Sequence, residues 1–117
     1  MAKVVIHLFH DDESSLAAGS HVAERVRQVA GDQHVELEVF CFGPAQAALG
    51  SSVDQARAEY NSQIDELVAA GVPVGACLNA ARAAGTEEAL GARGIVLQYA
   101  RDAFVRFALE GATVIGF

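Results

Sequence analysis

Few side chains in this sequence have chemistry beyond solvation, and Cys77 is the sharpest of them. It follows the apolar run Val72 to Ala76 and precedes Leu78-Asn79-Ala80, where a strand hands over to a helix. At such a junction unpaired main-chain N–H groups and the helix dipole favour a thiolate, which can attack a sulfur donor and hold a persulfide. Asn79 is placed to donate a hydrogen bond to that sulfur. Free cysteine is also among the most buried residue types, so a small core residue ending a strand is the competing reading. Cys41 closes VELEVFC, flanked by Phe40 and Phe42, with no neighbour that would lower its pKa. A core or rim position suits it, and a resolving thiol for Cys77 is its lesser reading. There is no CxxC pair, and a disulfide between the two cysteines is unforced.

His7 and His10 form an HxxH string that continues as HDDE. Side chains three apart on a strand point to opposite faces, so both can bind one metal only if the strand ends near Phe9. A metal-dependent hydrolase built on His7, His10 and Asp11 also lacks a convincing third ligand and a nearby base. No metal or other cofactor is expected. His7 reads as a satisfied core histidine, while His10 and Asp11, at the strand end, are candidates to orient a ligand or move a proton. His21 and His34 read as surface residues. Gly43-Pro44 opens a helix whose first N–H groups can hold an anion. There is no Walker motif, no GxGxxG and no serine elbow.

These residues must be positioned by the elements around them. Lys3 to Phe9 and Val35 to Cys41 are β-rich and nearly continuously apolar, as strands buried on both faces are. Shorter strands are expected at Val72 to Ala76, Gly94 to Leu97 and Ala112 to Gly116. Between them fall helices. The first carries Leu16, Val22, Val26 and Val29 at helical spacing and closes at Gly31. Pro44 begins a short one ending near Gly50. Tyr60, Ile64, Leu67 and Val68 mark the face of a third, which stops at Gly71. The segment from Leu78 closes at Gly85, Thr86 caps another short helix, and Ala100, Ala103, Phe104, Phe107 and Ala108 line the last. Alternation of this kind requires parallel pairing, with right-handed crossovers placing helices on both faces. The expected fold is a three-layer α/β/α sandwich around a mostly parallel five-stranded sheet, forming one domain over 1–117.

Composition narrows the functions. The chain has 117 residues, 52% hydrophobic, with 8 basic and 15 acidic side chains and a net charge of -7. Disorder is excluded, and neither a nucleic-acid phosphate backbone nor an anionic membrane suits that charge. The longest apolar run, Ala69 to Leu78, is far below the roughly 20 residues of a membrane span. A single lysine followed by Asp11, Asp12 and Glu13 is not a signal-peptide pattern, so a cytoplasmic setting is expected, with both thiols reduced.

Taken together, KVVIHLFHDDE, LEVFCFGPA, LVAAGVPVGACLNA and FALEGATVIGF resemble, in order and spacing, the DsrE/DsrF-like sulfur-relay family, closest to its short single-domain branch. The most specific stretch is Leu67 to Asn79, with the Gly-Pro after the second strand in support. The resemblance implies a five-stranded parallel sheet, a homo-oligomer such as a trimer or hexamer, and a match of Cys77 to the sulfur-accepting cysteine. Sulfur donor and acceptor proteins would then be its partners. The chain departs from the family pattern at Ala80, where Thr or Ser is common, and at Phe42, where Asn is. The leading expectation is a persulfide carrier acting through Cys77. The alternative is a non-catalytic homo-oligomeric module that holds a small anion at the carboxyl ends of the strands. Apolar surplus at Tyr99, Phe104, Phe107 and Phe117 supports an oligomer on independent grounds.

Overall fold

The computed structural model describes residues 1–117. Its strands are β1 (Ala2–Leu8), β2 (Val35–Cys41), β3 (Val74–Cys77), β4 (Val96–Gln98) and β5 (Thr113–Gly116). Its α-helices are α1 (Glu13–Ala30), α2 (Gly43–Ala47), α3 (Gln55–Ala69), α4 (Leu78–Ala84), α5 (Glu87–Ala92) and α6 (Ala100–Leu109). All pairings are parallel, in the order β4-β3-β2-β1-β5. No helix is long and apolar enough to cross a membrane.

From β1 to β4 the chain steps across the sheet in one direction, so right-handed crossovers put the intervening helices on a single face. The step from β4 to β5 runs back over the whole sheet and puts α6 on the other. Alternating strand residues divide accordingly. Ile6, Leu8, Leu37, Val39, Cys41, Val74 and Ala76 join Leu16, Ala23, Tyr60, Ile64, Leu67, Ala81 and Leu90 in the main core. Val5 and Phe40 meet Ala103 and Phe107 in a smaller one. The sandwich is therefore lopsided, with one helix alone covering the second face.

A buried charge cluster helps fix that helix. Glu38, on β2, is 5% exposed and takes a two-pronged hydrogen bond from Arg106 of α6, at 2.9 and 2.7 Å, with Lys3 at 2.7 Å. Arg106 also donates to Gln98 on β4. Burial alone would raise the Glu38 carboxyl. The hydrogen bonds and charges of Arg106 and Lys3 outweigh it and hold the group below its ordinary value.

Several local expectations are corrected. Gly31 is not a left-handed cap: it is helical, the chain continues through a 3-10 turn, and His34 takes the left-handed conformation at φ 57°. In α1 the buried positions are Leu16, Gly19, Ser20, Ala23 and Ala30, whereas Val29 is exposed, because α1 lies close to its neighbours and small side chains face inward. A Cβ on Gly19 would collide with Leu8. Thr86 begins α5 without a side-chain cap; its hydroxyl donates instead to the Ala81 carbonyl. The last three strands start one or two residues later than the apolar runs suggest. The apolar surplus is also differently placed. Tyr99 is exposed as expected, but Phe107 is buried and Phe104 and Phe117 are half-buried, while Val105, Leu109, Val114 and Ile115 are exposed.

Gly43 sits at φ +58°, and a Cβ there would strike the Phe9 ring. Gly43→Ala should cost about 1–3 kcal/mol in a urea titration, combining left-handed strain with overpacking.

Candidate functional site

In open parallel sheets ligands bind beyond the strands' carboxyl ends, where neighbouring strands send their connections to opposite faces. Here that point lies between β3, which leads into α4 on the main-core face, and β4, which leads into α6 on the other. A cavity of about 540 Å³ occupies it, lined by Phe42, Cys77, Asn79, Ala80, Tyr99, Ala100 and Arg101. Side-chain alternation along β3 sends Val74 and Ala76 into the main core, so Cys77 faces the α6 side with Gly75.

Cys77 is 5% exposed and a free thiol. Its main chain is gripped by Gln46, a residue sequence reading did not single out. The Gln46 side-chain amide donates to the Cys77 carbonyl at 2.8 Å, and the Cys77 N–H donates to the Gln46 amide oxygen at 2.9 Å. The signal for it was present, since Gln46 is the one polar side chain in the run from Gly43 to Gly50. Asn79 lines the cavity, but no hydrogen bond joins it to the sulfur. Tyr99 stands at the mouth, its hydroxyl accepting from Arg82 at 3.2 Å and its ring under the Arg101 guanidinium. Tyr99 also leads into α6 without a side-chain cap; its carbonyl takes up the Asp102 and Ala103 N–H groups, which leaves those of Ala100 and Arg101 without an intrahelical partner. Phe42 and Ala80, the two departures from the family pattern, both line the cavity and make it more apolar.

The other predicted site residues lie elsewhere. His10 borders a second cavity of about 480 Å³, lined by His7, Phe9, Ser15, Gly116 and Phe117. Phe9 and Phe42 stand 6.1 Å apart, one in the lining of each cavity. Asp11 is bound to Arg57 at 3.1 Å and so ties the loop after β1 to α3. Gly43 and Pro44 line neither cavity; they start α2 beneath Phe9 and thereby carry Gln46 to Cys77. No group of three or more His, Cys, Asp or Glu is arranged to hold a metal. Cys41 points into the main core, on the opposite face from Cys77. Its sulfur lies 3.5 Å from the Tyr60 hydroxyl oxygen, to which its S–H donates because the Tyr60 proton goes to the Ala45 carbonyl. Burial pushes its thiol up to about 11, and the sheet lies between it and the side that Cys77 faces.

No family model matches the chain, and no curated protein matches it in sequence. Solved structures do. A conserved protein of unknown function from Bacteroides thetaiotaomicron, BT1422, is similar with a TM-score of 0.79 over 98% of this chain and 94% of that one, at 13% identity. A protein of unknown function from Methanobacterium thermoautotrophicum, MTH1491, is similar with a TM-score of 0.73 over 100% of both chains, at 27% identity. The likeness to the first carries the fold alone, and neither name points to a reaction.

His7, expected to be satisfied, is instead the one residue with a buried side-chain polar atom lacking a partner, its Nε2. The ring stands edge-on to Phe104 at 5.2 Å, with Phe40 and Phe9 also near. Burial, and secondarily the charge of His10, lower its pKa from the ordinary 6.5. The unfolded chain therefore binds the proton more readily. Stability contributed by neutral His7 is complete above pH 6.5 and is lost as pH falls through the depressed folded value. Chemical denaturation at stepped pH should show this loss in the wild type and a flatter profile in His7→Leu.

Proposed function

We propose that this chain is a small cytoplasmic sulfur carrier of the DsrE/DsrF-like kind. It takes sulfur from a donor protein onto Cys77 and passes it to an acceptor protein. The observation that carries the reading is the cavity lining: Cys77 is its only thiol, and no histidine or carboxylate accompanies it. Hydrolytic acyl transfer needs a base beside the nucleophile, whereas sulfur exchange needs only a thiolate and a leaving thiolate. In the loading step the Cys77 thiolate attacks the outer sulfur of a donor persulfide. The donor's S–S bond breaks, its electron pair leaves on the donor thiolate, and the proton stays on the transferred sulfur. In the delivery step an acceptor thiolate attacks that same sulfur and Cys77 leaves as thiolate. No external oxidant or reductant enters. At most the chain is a sulfur transferase, without a bound cofactor.

A homo-oligomer, such as a trimer or hexamer, is part of the proposal. It is supported by the exposed Val105 and Leu109 on α6 and Val114 and Ile115 on the edge strand β5. A second reading, a non-catalytic module binding a small anion, is favoured by the uncapped start of α6 at the cavity and by the low exposure of Cys77.

Intact mass after exposure to a persulfide-generating donor separates the two. The carrier gains one sulfur atom, retains that gain in Cys41→Ser and loses it in Cys77→Ser. If the wild type gains none, and Cys77 resists alkylation in the folded state, the carrier reading fails. A melting temperature that rises with an added small anion then supports the binding module.

A further inference from the structure

We infer that Gln46 is the positioning residue for Cys77, holding the strand end so that the sulfur faces an open cavity; this rests on the sulfur-carrier reading above. The pairing of β2 with β3 ends at Cys41 opposite Ala76. At Phe42 the chain turns away into α2, and Phe42 itself lines the cavity that opens between the exits of β3 and β4. Cys77 lies one residue past the last β2 partner. It is paired with Gln98 on the β4 side, and on the other side its main chain meets the Gln46 carboxamide.

A carboxamide presents a donor and an acceptor much as a peptide group does, so Gln46 serves as a detached piece of β2. Continuing β2 as a strand would have supported the same main-chain groups, and the turn into α2 hands that task to a side chain. Gln46 itself is 6% exposed, and sinking a flexible polar side chain that far is costly unless both its ends are bonded. Its own position is fixed from two directions. The Ala45 N–H donates to the Phe9 carbonyl at 2.7 Å, and the Tyr60 hydroxyl donates to the Ala45 carbonyl at 2.9 Å. The short helix that carries Gln46 is thus anchored to β1 and α3, and through Gln46 it reaches β3.

Few other side chains can make both bonds. Leucine makes neither, and asparagine is one methylene short. A glutamate carboxyl makes both only when protonated, with one O–H to donate and one carbonyl to accept; ionised, it can only accept. This gives the test a signature that loss of stability does not imitate.

The experiment is the second-order reaction of Cys77 with 4,4′-dithiodipyridine from mildly acidic to mildly alkaline pH. It uses wild type, Gln46→Leu and Gln46→Glu, with the signal of Cys77→Ser subtracted and folding checked by circular dichroism. Gln46→Leu should be slower than wild type by on the order of tenfold at each pH, because a released strand end lets the sulfur turn from the cavity mouth. Gln46→Glu should follow the wild type while its carboxyl is protonated and fall to the Gln46→Leu rate as it ionises. Rates are expressed per thiolate, with the thiolate fraction of each variant read from its ultraviolet absorbance, so that the effect of the added carboxylate on the thiol does not enter the ratio. If Gln46→Leu does not fold, the ratio of Gln46→Glu to wild type still decides, because it either changes with pH or stays flat. A flat ratio, or folded variants that react like the wild type, overturns the positioning role. Sulfur uptake by the wild type and both Gln46 variants is read in parallel by mass. No uptake, with the ratio still following the carboxyl, sinks the carrier reading and leaves Gln46 as what sets the reactivity of Cys77. Uptake that is equally fast in all variants does the reverse.

Discussion

A parallel crossover is right-handed, so the direction in which a chain walks across its sheet dictates the face on which each helix lands. In this protein three successive crossovers go one way and the last comes back, giving the order β4-β3-β2-β1-β5. Most other features follow from that reversal. It piles five helices on one face and leaves α6 alone on the other. It also parts the chain exits of β3 and β4, so that a cavity opens between them, and it orients Cys77 toward the thinly covered side.

A face covered by one ten-residue helix needs more than apolar contact to stay closed. Phe107 and Ala103 supply the contact, and edge-on rings of Phe40, Phe42, Phe104 and Phe107 surround it. Glu38 supplies direction. Buried between Arg106 and Lys3, it would lose its two-pronged partner if α6 shifted and keep only Lys3 of β1. The same helix forms the wall of the cavity through Tyr99, Ala100 and Arg101. Placement of α6 by Glu38 is therefore also placement of the surface that faces the thiol.

The cavity is apolar where an acid–base active site would be polar. Phe42, Ala80 and Ala100 form much of its wall, and the nearest histidine cluster belongs to a different cavity beyond the Phe9–Phe42 pair. On the sulfur-carrier proposal the missing general base is no obstacle, since sulfur exchange needs none. Cys41, a residue of the same type, shows the contrast. Enclosed in the main core under the Tyr60 hydroxyl, its thiol is pushed up to about 11 and has no route to a partner.

The alternation of apolar runs with helical patterns was enough to read five strands, their parallel pairing and the strand-end location of Cys77, because each depends on periodicity within a few residues. Gly85 as the end of α4 was legible for the same reason. What the sequence left open depended on which strands became neighbours. Val29 carried the right spacing for a core face, yet Gly19, Ser20 and Ala23 are inward because α1 lies close against β1 and the final Phe117. His7 was placed on the correct strand, but its unpaired Nε2 follows from the rings that α6 and β2 bring around it. His10, Asp11, Gly43 and Pro44 were gathered with Cys77 as strand-end residues, and the fold spread them over the second cavity, an ion pair and the start of α2. Gln46 and Cys77 are far apart in sequence, and their two hydrogen bonds exist only because β2 ends just where β3 needs one more partner. Local chemistry determined which elements form; the order in which distant strands meet decided which side chains share a cavity, since that order is set by packing across the whole sheet.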